Sequence, residues 1–285
     1  MTDLSLASRP VRRIGFGAMQ LPGPGVFGPP KDPETALAVL RRAVELGVNH
    51  IDTAQYYGPD VSNDLIHRAL HPYPADLVIV SKVGARRDEA GGWLPAGSPA
   101  ELRAGVEANL RSLALDRVDV VNLRVHAPAE PDARFEAQLD TMAGLREEGL
   151  IGGVGISNVS EAQLRRAAEL TEVACVQNPY NLVDRASARV LAACEELRIA
   201  FVPFFPMGSG FPGANRVLDH PALVSTAARL GAEPGQVALA WLLAHSPWLL
   251  LIPGTSSLAH LEENLAAGDL ALDAVALATL DAAAP

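Results

Sequence analysis

The chain has 285 residues, 49% of them hydrophobic and 20% charged, with a formal net charge of −10. That length and apolar share suit one large α/β domain with a sizeable core, and residues 1–285 are expected to form it. The acidic balance, with no Lys/Arg cluster interleaved with aromatics, argues against nucleic acid as a partner, so an anionic ligand would have to be held by local donors.

Short β-rich runs alternate with helical segments along the whole length. The first pair is "RIGFGAM" followed, after a Pro-rich loop, by "DPETALAVLRRAVELG". In that helix Asp32 is the N-cap, Pro33 opens the first turn, Leu37, Leu40 and Val44 form one stripe, and Gly47 stops it. "VNHID" precedes a helix over 61–70, and "DLVIVSK" precedes "SPAELRAGVEANLRSL", which opens with a capping box from Ser98 to Glu101. "VDVVNLR" is followed by a helix over 132–148, and "GGVGIS" by "SEAQLRRAAEL" with a second capping box, Ser160 and Gln163. "EVACVQN", "IAFVPFF" and "WLLLIPG" precede helices over 187–197, 234–245 and 258–267, with an insertion at 207–233 carrying a short extra helix. Several runs are apolar almost throughout, as parallel strands covered by helices are.

Eight β-then-α units in this length are the arithmetic of a (β/α)8 barrel, a TIM barrel. A doubly wound open sheet is the alternative, but it would carry a G-x-G-x-x-G turn after its first strand. "GFGAMQ" has two glycines and then a Pro-rich loop rather than a helix. The two cysteines, Cys175 and Cys194, lack metal-ligand spacing and read as buried thiols in a reducing cytoplasm. No metal is expected. "MTDLSLASRPVRRIG" has no signal-peptide h-region and no apolar run is long enough to span a bilayer, so the expected setting is cytoplasmic, with no membrane partner.

In such barrels chemistry gathers at the C-terminal ends of the strands. Those ends carry Asp52 with Tyr56 and Tyr57, then Lys82, Arg124, Ser157 and Asn158, Gln177, Phe204 and Phe205, and the "PGTSS" loop. A tyrosine has a pKa near ~10, and bringing it down by about three units needs on the order of 4 kcal/mol of preference for the phenolate. Lys82, aimed by Asp52, is a plausible source, which makes Asp52, Tyr57 and Lys82 a candidate proton donor with its tuning apparatus. The same Asp and Lys would equally serve as an ion pair closing two adjacent strands. Tyr56 reads as packing.

The set "IDTAQYYG", "SK", "VGISNVS", "VQNPYN" and "IPGTSSLAHLEENLAA", in that order, resembles the aldo-keto reductase family over nearly the whole chain. The resemblance implies that Tyr57 donates a proton to a carbonyl, assisted by Lys82 with Asp52 paired to it. It implies that Ser157, Asn158 and Gln177 hold a nicotinamide carboxamide, with Phe204 where the family stacks a tyrosine on the ring. Pro206, Met207, Gly208 and Gly210 would approach the pyrophosphate. Gly254, Thr255, Ser256, His260, Glu263 and Asn264 lie in the segment that grips the adenosine end. NADPH is the implied cofactor, with NADH possible because the usual Lys and Arg are replaced near Gly254 and His260. Hydroxyls at a helix N-terminus suit an anion, and Thr255 to Ser257 would also serve as simple caps.

One departure stands out. In "DVVNLRVHAP" the family's histidine position, five after Asp119, is Arg124. His126 lies two residues on, where a local shift would bring it into the site, or where it is a loop residue ahead of Pro128. An arginine stays charged and donates in a planar fork, so the expected substrate is a small aldehyde bearing an ionisable oxygen. "GAMQLPGPGVFGPP", "KVGARR", "WLPAGSPAEL" and "DVVNLRV" are similar to the pyridoxal reductase branch, whose substrate has a phenolic oxygen beside its aldehyde. Arg86 and Arg87 read as substrate or loop contacts, or as a solvated basic pair. Without a long C-terminal tail the pocket would be open and its aldehyde specificity relaxed. A Schiff-base role for Lys82 in a barrel aldolase and a cofactor-binding regulatory subunit remain as other readings.

Overall fold

The computed structural model describes residues 4–208 and 217–283. Two short antiparallel strands open the chain, β1 (Leu4–Leu6) and β2 (Arg9–Val11). The parallel strands follow: β3 (Phe16–Gly17), β4 (His50–Asp52), β5 (Val78–Arg87), β7 (Val118–Arg124), β8 (Ile151–Ser157), β9 (Val173–Pro179) and β10 (Ala200–Phe204). They lie in the order β3, β4, β5, β7, β8, β9, β10. β6 (Trp93–Ala96) is antiparallel to the outer half of β5.

Residues 248–253 close the sheet on itself. Phe201 N donates to Trp248 O at 2.9 Å on one side, and Leu251 N donates to Arg13 O at 2.8 Å on the other. Alternating strand residues then separate two apolar regions. Val78, Val80, Val120, Cys175, Val202 and Leu250 face inward, and the β1–β2 hairpin plugs that interior with Leu4, Leu6 and Val11. The outward residues, such as Ile51, Ile79, Val121 and Ile156, pack under the helices. The architecture is a (β/α)8 barrel.

The helices are α1 (Pro33–Glu45), α2 (Val61–Leu70), α3 (Pro99–Leu113), α4 (Ala133–Glu147), α5 (Glu161–Leu170), α6 (Ala188–Leu197), α7 (Pro221–Leu230), α8 (Pro234–His245), α9 (Leu258–Ala266) and α10 (Ala274–Asp281). The expected caps are present. The Asp32 side chain accepts from Thr35 N at 3.1 Å, and Ser98 and Ser160 form capping boxes with Glu101 and Gln163. No helix among the described residues is long and apolar enough to cross a membrane.

Three elements were not foreseen from the sequence: the β1–β2 plug, α10 and the β5–β6 hairpin. The last arises because β5 does not stop at Lys82. It bends at Gly84, where φ is +101° and a Cβ would lie 2.4 Å from the Arg124 carbonyl oxygen, a conformation and a close approach open to glycine. Beyond that bend the strand runs out over the mouth of the barrel and turns back through Asp88 to Gly92. The extra helix expected in 207–233 is α7.

Candidate active site

β4 delivers Asp52 and β5 delivers Lys82, both inward and almost fully buried. The Lys82 ammonium bonds Asp52 Oδ1 and donates to Thr53 O at 3.0 Å. The other carboxylate oxygen, Oδ2, accepts from Gln177 Nε2 at 2.6 Å. A turn over 54–57 swings Tyr57 back above the strand ends, placing the Lys82 nitrogen 4.9 Å from its ring centroid. Strand register alone brings these groups together from β4, β5 and β9.

The electrostatics differ from the sequence expectation. The Tyr57 phenol is pushed up, first by burial and then by the Asp52 carboxylate, while Arg124 pulls the other way. Lys82 is spent on Asp52 and on a carbonyl, so it offers the phenol little net positive charge, and desolvation wins. The site therefore holds a neutral phenol, the form in which a tyrosine has a proton to give. Its hydroxyl has no protein partner among the described residues, yet it is not fully buried. Tyr56 is different. Its hydroxyl is sealed and unpartnered, and its ring meets Tyr57 and Trp93 edge-on at 5.5 and 5.6 Å, which is packing.

Arg124 ends β7 on the inward face, in register with Ser157 of β8. Its guanidinium makes no hydrogen bond or ion pair among the described residues. His126 sits exposed in the following loop, where its backbone carbonyl accepts from Asn158 Nδ2 at 3.0 Å. The arginine, not the histidine, stands beside the tyrosines.

Asn158 has φ of 62° and gives both amide hydrogens away, to Val125 O at 3.2 Å and His126 O. That fixes its orientation and leaves Oδ1 free. The bond from Gln177 to Asp52 does the same for Gln177, whose Oε1 is buried without a partner. Ser157 is also buried, and its hydroxyl has no partner among the described residues. Two free amide oxygens and one hydroxyl match the two donors and one acceptor of a primary carboxamide. The orphaned buried oxygen is the observation that tests the fit, and the residues present fit a nicotinamide.

Phe204 ends β10, half-buried, in edge contact with Phe205 at 5.1 Å. Pro206, Met207 and Gly208 form the turn after it, closed by Gly208 N donating to Phe205 O at 3.0 Å. Gly210 lies outside the described residues. A cavity of about 480 Å³ is lined by Met19, Gln20, Gly25, Lys31, Phe205 and Ser256, among others. Met19 also packs against the apolar cluster that contains Tyr56 and Tyr57. Gly254 presses on the Gly17 carbonyl, which a Cβ would meet at 2.4 Å. Ser257 caps α9, Thr255 Oγ1 accepts from Ser257 N at 3.0 Å, and Ser256 is exposed, with no hydrogen bond among the described residues. His260 is exposed, Glu263 is half-buried, and the buried Asn264 has no side-chain partner among the described residues.

The aldo/keto reductase family model matches residues 13–285. This chain belongs to the aldo/keto reductase family. It is an oxidoreductase acting on CH–OH groups. Over 282 residues it is 52% identical to the pyridoxine 4-dehydrogenase of Escherichia coli, covering 97% of this chain and 96% of that protein. A thermostable aldo-keto reductase, Tm1743, solved with the inhibitor epalrestat, superposes with a TM-score of 0.82 at 28% identity, covering 99% of this chain and all of the other. An aldo/keto reductase of Klebsiella pneumoniae solved with NADP and acetate gives 0.80 at 25% identity, covering 98% and 94%.

Sequence reasoning on this reductase missed two features at the mouth, Trp93 and Lys31. Trp93 opens "WLPAGSPAEL", a stretch noted for its resemblance without a role for the tryptophan. Lys31 is one of only two lysines in the chain, and that scarcity was the available signal.

Proposed function

We propose that this chain, acting as one domain, is an NADPH-dependent reductase that converts pyridoxal to pyridoxine. Tyr57 gives its proton to the aldehyde oxygen, Lys82 lies against the phenol ring, and Asp52 holds Lys82. Ser157, Asn158 and Gln177 receive the nicotinamide carboxamide, and Phe204 borders the ring. When bound, the cofactor supplies the hydride; the protein supplies orientation, a dry site and the proton. Lys31 and Ser256 on the cavity wall support binding of the anionic part of the cofactor, and the phosphorylated form is favoured, with NADH possible. The NADP bound to the Klebsiella relative agrees with this reading.

The observation that carries the substrate assignment is Arg124. A guanidinium unpaired among the described residues, beside a buried proton donor, calls for an anionic oxygen close to the reacting aldehyde. Pyridoxal has a phenolic oxygen ortho to its aldehyde, and the activity named for the Escherichia coli relative agrees. The test is NADPH oxidation with pyridoxal, with pyridoxine identified as product. Wild type should turn over, and Tyr57→Phe should lose roughly 10²- to 10⁴-fold, the range of a positioned general acid. Failure of wild type on pyridoxal, with NADPH bound and other aldehydes reduced, would overturn the vitamin assignment and leave the reductase.

A further inference from the structure

The β5–β6 hairpin forms one wall of the mouth. Alternate strand residues face opposite ways, and the register pairs Arg87 with Trp93 and Ala85 with Pro95. These four share a face, while Arg86 and Leu94 share the other. Ala85 packs with Val26, Ala54, Tyr56 and Tyr57, so the first face is the one turned to the tyrosines.

On that face the indole of Trp93 is held from several directions. The Arg87 guanidinium lies 4.1 Å from its ring centroid and Tyr56 meets it edge-on at 5.6 Å. Arg87 is itself tied down, donating to the carbonyls of Gly25 at 3.0 Å, Val26 at 2.9 Å and Gly91 at 2.6 Å, and lying 5.3 Å from the Phe27 ring. The Arg124 guanidinium is 5.9 Å from the same indole. Trp93 nonetheless remains 37% exposed. A large aromatic surface that is fixed in place yet left open, next to a buried phenol and a cation unpaired among the described residues, is a built contact surface rather than a packed core residue.

We propose that Trp93 is a specificity-determining residue: its open indole surface receives the flat ring of an aromatic aldehyde while Arg124 receives that ring's ionised oxygen. This rests on the reductase reading above and adds the substrate class, planar aromatic aldehydes over aliphatic ones. A rigid aromatic contact of this kind is worth roughly two- to tenfold in apparent affinity.

The experiment compares 2-hydroxybenzaldehyde with propanal as substrates of the NADPH-loaded enzyme, and measures tryptophan fluorescence on titration with pyridoxine. Trp93→Ala should lower the aromatic-to-aliphatic ratio of kcat/KM by roughly two- to tenfold, mainly through KM, and Trp93→Phe should restore most of it. Leu94→Ala, on the other face of the hairpin, should leave the ratio at the wild-type value. Pyridoxine should quench the wild-type emission and fail to quench Trp93→Phe, because the other two tryptophans, Trp241 and Trp248, are buried or half-buried. An unchanged ratio in Trp93→Ala, or quenching that persists in Trp93→Phe, overturns the proposal. Pyridoxal that is not turned over, with the ratio still dependent on Trp93, sinks the vitamin assignment and upholds the aromatic surface.

Discussion

Asp52 is shared between two strands: Oδ1 holds the Lys82 ammonium while Oδ2 accepts from Gln177 Nε2 at 2.6 Å, 125 residues away in the chain. One buried carboxylate thus fixes the lysine beneath the phenol and also sets the orientation of the Gln177 amide, whose Oε1 is buried without a partner among the described residues. Removing it should do more than disable a proton donor. Asp52→Leu leaves a buried ammonium without its counter-charge, and the expected loss is about 3–5 kcal/mol of folding stability. The double variant Asp52→Leu, Lys82→Met removes both charges and should be more stable than Asp52→Leu alone, although neither turns over. Urea unfolding of the four proteins of the cycle measures this, and a double variant less stable than the single one would show that the pair is not what organises the site.

Arg124 is expected to matter for substrate rather than for fold, because its guanidinium has no hydrogen-bond or ion-pair partner among the described residues to lose and only a 5.9 Å approach to the Trp93 ring. Arg124→Ala should lower kcat/KM for pyridoxal roughly ten- to hundredfold, the loss of a charge-assisted hydrogen bond, with a smaller effect on propanal. Its urea midpoint should stay close to wild type. Equal losses on both aldehydes would place the arginine's action on the phenol of Tyr57, where it already opposes the upward push of burial.

Gly84 links the two halves of the site. With φ of +101° and the Arg124 carbonyl oxygen 2.4 Å from a Cβ position, Gly84→Ala strains β5 and pushes on the strand that carries Arg124. The expected cost is about 1–3 kcal/mol of stability. Turnover of pyridoxal should fall further than turnover of propanal, since the displaced parts are the hairpin and the arginine. Parallel urea and kinetic measurements distinguish this from uniform loosening.

The barrel was legible because eight β-then-α alternations carry their own punctuation, from the Asp32 cap to the two capping boxes. Asp52 and Arg124 were legible as strand-end residues; Lys82 lies within β5 and Tyr57 in the turn after β4, and barrel closure brings all four to one end. The hairpin was not, because "RRDEAGGW" has the composition of a solvated loop. What orders it is Arg87 bonding the Val26 carbonyl 61 residues earlier, a partner no local pattern announces. Arg86 and Arg87 looked alike, and only the strand register sends one toward Trp93 and the other to solvent. The direction of the Tyr57 shift was misjudged for a related reason. A lysine near a phenol suggests stabilised phenolate, but the sum depends on Asp52 neutralising that lysine and on how deeply all three are buried.

His50 provides a pH test independent of catalysis. It lies on β4 two residues before Asp52, fully buried, with both ring nitrogens unpartnered among the described residues, and burial lowers its pKa from 6.5 to about 4. A histidine depressed in this way binds a proton in the unfolded chain before it does so in the folded one. Its stabilising effect is therefore complete above pH 6.5, is lost as pH falls toward about 4, and changes no further below that. Over that window the loss is on the order of 3 kcal/mol. His50→Phe, which keeps a ring and removes the titration, should flatten the stability profile between pH 7 and 4.5 relative to wild type. Urea midpoints at several pH values decide it: parallel profiles for the two proteins would mean that His50 finds a buried partner such as water, which holds its proton affinity near normal.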